Sequence, residues 1–132
     1  MARGKRTWGD RGLLAAGVLM CASSLAHAFG GWPPLARELA GRGVPGELAG
    51  GMAVGWLFGS GAMAACGVLV LLARRELRRG GTAGAATCTV VGTFYVIFGL
   101  AATAYRFPHL HFLAFISLGL LVLLSARMAA AR

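Results

Sequence analysis

Acidic side chains are almost missing from this chain: four Asp and Glu stand against 13 Lys and Arg in 132 residues. Asp10, Glu38, Glu47 and Glu76 all fall in flanks or loops between apolar runs. A proton-coupled exporter or pump needs an ionisable group at membrane depth to bind and release its proton, and only His27 approaches that position. Proton-driven export is therefore disfavoured, although a titrating His27 leaves transport of a small hydrophobic or cationic solute open. Cysteine is also scarce. Cys21, Cys66 and Cys88 lie inside apolar segments and form neither CxxC nor any metal-ligand spacing. No nucleophile, base and orienter triad, glycine-rich phosphate loop or metallohydrolase motif can be assembled, so nothing in the chain points to an enzyme.

What is abundant is apolar. Hydrophobic residues make up 58% of the chain and charged residues 13%. Several runs are long enough to cross a hydrocarbon layer of roughly 30 Å at about 1.5 Å per residue. Four spans can be drawn, about Gly12 to Trp32, Leu48 to Ala73, Thr82 to Tyr105 and Phe107 to Ala126, which leave no room for a soluble domain. Backbone groups in hydrocarbon must be satisfied internally, and four strands cannot close a barrel. The expected fold is thus all-α, a four-transmembrane-helix bundle forming a single membrane domain over residues 1–132.

The formal charge of +9 would suggest nucleic acid in a soluble protein. Here the basic residues sit between apolar runs, so they read as topology signals and no nucleic-acid partner is expected. Arg3, Lys5, Arg6, Arg11, Arg74, Arg75, Arg78, Arg79, Arg127 and Arg132 belong to one side, and only Arg37, Arg42 and Arg106 to the other. Ten against three places both termini in the cytoplasm, with Gly80 inside and Gly43 outside. The segment Pro33 to Glu47 is then an outer loop, in which Pro33-Pro34 stops the first helix and Leu35 to Ala40 can form one short interfacial turn of helix. A basic start, an apolar Leu13 to Ala22 core and Ala26-His27-Ala28 also resemble a cleavable signal peptide over residues 1–28. Apolarity that continues through Phe29 to Trp32 favours a retained span.

Glycine patterning marks contact surfaces. Gly51, Gly55 and Gly59 recur every four residues along one helical face, a GxxxGxxxG ridge that lets another backbone approach closely. Gly84, Cys88 and Gly92 repeat the spacing on span three, as do Ala22, Ala26 and Gly30 on span one. Such ridges serve packing within the bundle, homo-oligomerisation or docking onto a larger membrane complex. Span four, rich in leucine, looks lipid-facing, so Gly55→Leu is expected to disturb packing more than Gly119→Leu.

The histidines are the one group with possible chemistry. In the four-span topology His27 lies about five residues, roughly 7 Å, from the outer end of span one. His109 and His111 open span four in the same leaflet. Paired histidines on facing helices can hold haem, copper or zinc. Residues two apart on a helix point about 200° apart, so two histidines, with Met52, are the realistic limit of such a site. The alternative is structural, with imidazoles at the headgroup boundary beside Trp32, Tyr105 and Phe107. The cysteines also fall at similar depths, where thiols could take Cu(I) or simply pack as small hydrophobes.

The segment His27-Ala28-Phe29-Gly30-Gly31, the following Pro34-Leu35, Trp56 in span two, and Pro108 before a leucine-rich last span resemble a loose group of small, uncharacterised bacterial four-helix inner-membrane proteins. That resemblance implies the fold and a multi-pass place in an inner membrane, and no activity. The leading expectation is a non-catalytic packing or accessory subunit of a membrane assembly, in contact with the lipid bilayer. A haem- or metal-binding redox subunit using His27 with His109 or His111 is the rival.

Overall fold

In the computed structural model the described residues are 8–108 and 110–131, and among them the backbone is helical with no strand. The first helix, α1 (Trp8–Leu25), runs into a π-helical turn (Ala26–Gly31) and on into α2 (Trp32–Gly41). A turn leads to α3 (Gly46–Arg78), a second to α4 (Ala83–Tyr105), and a 3₁₀ turn (Leu110–Phe112) opens α5 (Leu113–Ala130). Gly43 and Gly80 close the first two turns with φ of 68° and 83°, left-handed conformations that side chains with a Cβ rarely adopt.

Four helical segments are long and apolar enough to cross a membrane: Trp8–Gly41, Gly46–Arg78, Ala83–Tyr105 and Leu110–Ala130. Only 22% to 28% of the apolar window of each is buried inside the protein. Side chains such as Val54, Phe58, Val90 and Ile97 are more than half exposed. An apolar exterior of this extent is untenable in water. It fits a multi-pass membrane protein, where lipid tails cover what the bundle does not.

The four helices form a ring. α1 packs between α3 and α5, and α4 closes the ring against α5 and α3. The interior is narrow: Leu13, Ala16 and Met20 from α1 meet Val70 and Ala73 from α3, Cys88, Val91 and Tyr95 from α4, and Val122 and Ala126 from α5. Tyr95 is the largest fully buried side chain and packs against Phe115 at 5.6 Å between ring centres.

Glycine makes each neighbouring pair possible. A Cβ on Gly17 would stand 3.0 Å from the Gly67 carbonyl oxygen, and one on Gly67 would stand 2.9 Å from that of Gly17, so α1 and α3 cross backbone against backbone. Gly92 and Gly119 do the same for α4 and α5, at 3.0 and 2.6 Å. Gly84 sets α4 on the Ala73 carbonyl of α3 at 2.5 Å, and Gly9 sets α1 on the Ser125 carbonyl of α5 at 2.6 Å.

Polar groups add a second fastening between α1 and α3. Ser24 donates to the Ser60 carbonyl at 2.7 Å, and Ser60 donates to the Trp56 carbonyl at 3.0 Å. At the opposite end of the pair the Arg74 guanidinium grips Asp10: Nε lies 2.9 Å from Oδ1, and Nη2 donates to Oδ2 at 3.0 Å. Nε also donates to the Asp10 carbonyl at 3.1 Å. Both side chains are largely buried, 13% and 8% exposed, and Arg78 adds a longer ion pair at 3.8 Å. A carboxylate in the first turn of α1 is also favoured by the helix dipole. Asp10 is thus a fastening inside the bundle and not a flanking residue.

Two expectations from sequence are corrected. Pro33-Pro34 does not stop the first helix, because the prolines fall in the first turn of α2, directly after the π-helical turn. There their missing N–H and fixed φ are tolerated. Consequently most of the expected outer loop is helical, with Arg42 and Glu38 paired at 2.7 Å on its exposed face. Nor does span four face lipid throughout, since Gly119, Val122, Ser125 and Ala126 are buried.

The order of the two glycine substitutions therefore reverses for stability of the protomer. Gly119→Leu drives a side chain into the Gly92 carbonyl and should cost about 1 to 3 kcal/mol, as overpacking does. Gly55→Leu meets open space and should leave unfolding in detergent nearly unchanged. Equal melting shifts for the two variants would contradict this packing.

Candidate functional site: the histidine and tryptophan cluster at the π-helical turn

A polar and aromatic grouping away from the Asp10 clamp lies where the π-helical turn meets α3. A π turn inserts extra backbone into a helix, widens it and displaces carbonyls from the regular ladder, and such turns recur at functional sites. Here the His27 carbonyl accepts a hydrogen bond from the Trp56 indole N–H at 2.8 Å. The His27 imidazole lies flat on the same indole, with ring centres 4.0 Å apart and planes 10° from parallel. Trp32 leans on Trp56 from beyond the turn, at 6.1 Å and 50°. Gly31 provides the space: a Cβ there would stand 2.6 Å from the indole six-membered ring. The sequence Gly30-Gly31-Trp32 thus supplies both the clearance and the second aromatic ring.

Chemically, this cluster holds one side chain, Trp56, at its edge and on its faces. It fixes the angle at which α1 continues into α2, and it ties the far end of α1 to α3. His27 and Trp56 are half-buried.

The other proposed ligands lie elsewhere. His111 stands in the 3₁₀ turn before α5, exposed, with its ring 4.0 Å from that of Phe112. That turn packs on α4 and α5, whereas the π-helical turn packs on α1, α2 and α3, and the two turns are not in contact. His109 lies outside the described residues. Met52 is exposed on α3. Among the described residues no group of three His, Cys, Asp or Glu is close enough to hold a metal ion. Cys21 rests its thiol near the Ala64 carbonyl at 3.9 Å and against Gly67, while Cys88 is buried in the core.

The predicted helix-packing residues divide into two groups. Gly84 and Gly92 are buried at helix crossings. Gly51, Gly55 and Gly59 have nothing within 4 Å of where a Cβ would stand. Sequence reasoning missed the Asp10–Arg74 clamp, whose one signal is a lone acid in a strongly basic tail. It also missed the partnership of His27 with Trp56, although both residues were marked singly.

Fold and exterior together define a multi-pass helical membrane protein. No family model, curated protein or solved structure matches the chain, so its function is read from its own geometry.

If stacking is the task of His27, His27→Phe should retain stability to within about 1 kcal/mol, because an aromatic ring still covers the indole. Trp56→Phe should cost about 1 to 2 kcal/mol through the lost hydrogen bond to a partly buried carbonyl. Thermal unfolding in detergent checks both. A large loss in His27→Phe with none in Trp56→Phe would mean that the imidazole nitrogens, and not the ring face, are what matters.

Proposed function

We propose that this chain is a non-catalytic subunit of a membrane assembly, which docks a transmembrane helix of a second copy or of a neighbouring subunit on the ridge Gly51, Gly55 and Gly59. One observation carries the reading. Glycines at all four crossings of the ring press on a neighbouring backbone, whereas these three are open.

Geometry shows how they come to be open. The Ala73–Gly84 crossing sets the register of α3 against α4, and counting outward from it brings Tyr105 level with about residue 52 of α3, so Gly51 lies past the end of α4. Gly55 stands about five turns before Ala73 and so on the same face of α3, but nothing lies within 4 Å of where its Cβ or that of Gly59 would be. α4 has therefore drawn away from α3 at that level, while α1 covers the face that carries Trp56 and Ser60. At about 100° per residue, Met52 and Phe58 flank Gly55 by about 60° on either side. They wall a shallow channel floored by glycine, and Phe58 is 78% exposed. Small residues between larger ones are what close helix approach in lipid requires, since dispersion and not hydrophobicity drives it.

The proposed setting is a bacterial inner membrane, with both termini and the Arg74 to Arg79 segment cytoplasmic. The uneven placement of basic residues supports this orientation. About 20 residues cross the hydrocarbon layer, so an inner boundary at Arg74 puts the outer one near Val54, with Gly59 and Gly55 on its hydrocarbon side and Gly51 at headgroup level. That boundary is the level of Trp56, and aromatic rings are favoured at such boundaries.

Two measurements test the proposal. Gly55→Leu should reduce the assembly seen by light scattering of the detergent-solubilised protein while its melting temperature stays within about 2 °C of the parent, which corresponds to well under 1 kcal/mol for a chain of this size. An unchanged assembly size would remove the ridge as a contact. Orientation is read with single cysteines in a cysteine-free background, at Thr82 and Arg42 because neighbouring Gly80 and Gly43 require positive φ. An impermeant maleimide added to intact cells should label Arg42→Cys and spare Thr82→Cys. The opposite pattern would invert the proposed topology.

A further inference from the structure

At the arginine-rich end of α3 the run Arg74-Arg75-Glu76-Leu77-Arg78-Arg79 places two arginine pairs on adjacent faces of one helix. Arg74 and Arg78 turn to Asp10. Arg75 and Arg79, one turn apart, are exposed and make no ion pair among the described residues. They line a groove of about 300 Å³ between α3 and α4.

The groove has two distinct halves. Toward the middle of the span its walls are Leu69 and Leu72 from α3, which are 44% and 55% exposed, and Thr87 from α4. The Thr87 hydroxyl is turned back to the Ala83 carbonyl at 3.3 Å. The floor is closed by the backbone contact of Gly84 with Ala73. Toward the end of α3 the lining becomes polar, with Arg75, Arg79 and Glu76. The Glu76 carboxylate lies against Gly81, and two guanidinium groups against that one carboxylate leave an excess positive charge. The amino terminus of α4 opens into the same half through Ala83 and Gly84. Its cap residue Thr82 makes no side-chain hydrogen bond to the first turn, so N–H groups there are available to an anion.

From Leu69 to Arg79 is ten residues, about 15 Å along the helix. A ligand that fits both halves carries negative charge at one end and an aliphatic chain at the other, and it enters sideways from the hydrocarbon layer. We propose that this groove binds an anionic phospholipid, with its phosphate held by Arg75, Arg79 and the amino terminus of α4 and one acyl chain laid along Leu69 and Leu72. Basic pockets between transmembrane helices at the headgroup level recognise such lipids, and guanidinium matches phosphate oxygens in a bidentate fork. A soluble phosphate would use the charged half alone and leave the leucine walls unoccupied.

The proposal rests on the membrane-spanning reading of the helices and is independent of the glycine ridge. Alkaline carbonate extraction tests that premise: release of the protein from membranes would overturn premise and proposal together. For protein retained in the membrane, native mass spectrometry of the detergent-purified chain compares phosphatidylglycerol with phosphatidylcholine of identical acyl chains. The parent should retain phosphatidylglycerol roughly tenfold or more over phosphatidylcholine, given the contribution of each basic group to binding anionic lipid. Arg75→Gln with Arg79→Gln should lose that selectivity. Both side chains are exposed, so the fold should survive, and an unchanged melting curve confirms it. Arg106→Gln, an exposed arginine at the other end of α4, should keep the selectivity. Selectivity that survives in the double variant would overturn the proposal, and so would equal loss in Arg106→Gln. Competition by glycerol 3-phosphate, which lacks acyl chains, as effective as that of the intact lipid would overturn it as well, in favour of a site for free phosphate.

Discussion

Contact between backbones, made where a glycine on one helix meets a carbonyl on the next, is the constraint on which this bundle rests. In hydrocarbon a leucine gains little by leaving lipid for protein, so large apolar side chains do not pull helices together. What favours association is the density of contact, and density rises as axes approach. Gly17 against Gly67, Gly92 against Gly119, Gly84 against Ala73 and Gly9 against Ser125 provide that approach at all four seams of the ring. The consequence is a thin core of ten buried hydrophobic residues, all no larger than valine apart from Leu13, Met20 and Tyr95, surrounded by an exterior of leucine, valine and phenylalanine. The distribution is the one a lipid solvent imposes.

Close approach sets distance but leaves sliding and rotation weakly defined, and polar contacts supply that definition between α1 and α3. The pair is fastened at three depths: Asp10 with Arg74 at one end, Ser24 with Ser60 in the interior, and His27 with Trp56 at the other end. The Ser24–Ser60 link joins groups that lipid tails cannot hydrogen-bond, so parting it would leave a donor and an acceptor unsatisfied in a medium that offers no substitute, and the two end links are themselves largely or partly buried. The π-helical turn belongs to this scheme. Its His27 carbonyl accepts the Trp56 indole N–H, so a backbone irregularity carries a link between helices. It also lets Pro33 and Pro34 continue the helix in a new register.

Hydropathy alone made the four spans legible, because each exceeds the length of a bilayer crossing and nothing but a helix satisfies its backbone there. Boundaries were read less well at the first and last spans. Pro33-Pro34 reads as a stop unless the π turn before it is known, and π turns have no sequence signature of their own. Glycine spacing marked helices able to pack closely without saying which face turns inward. The regular ridge of Gly51, Gly55 and Gly59 is open, while isolated Gly17, Gly67 and Gly119, which form no repeat with one another, occupy crossings. A crossing needs one small residue on each helix at one point, and periodicity cannot reveal a point. Likewise the partnership of Asp10 with Arg74, 64 residues apart, depends on which arginine of four faces α1. Composition counted all four alike as topology signals, although the structure separates them into a pair bound to Asp10 and a pair facing outward.

That separation shows how α3 organises the molecule. It is the longest single α-helix among the described residues and the one whose surface is divided most fully. One face carries the three fastenings to α1, and another meets α4 at Ala73. Near its beginning lies the open glycine channel between Met52 and Phe58, and near its end Arg75 and Arg79 border the groove with α4. The two features therefore lie near opposite ends of one helix. On the proposed readings, a neighbour docked on the first would not occlude a lipid in the second. Because α3 is locked to α1 at both ends, a force applied at the glycine channel is carried through a braced helix pair and not absorbed by a loose one. This arrangement is compatible with the proposed place in an assembly, since the helix with the most internal restraints bears both the open channel and the groove.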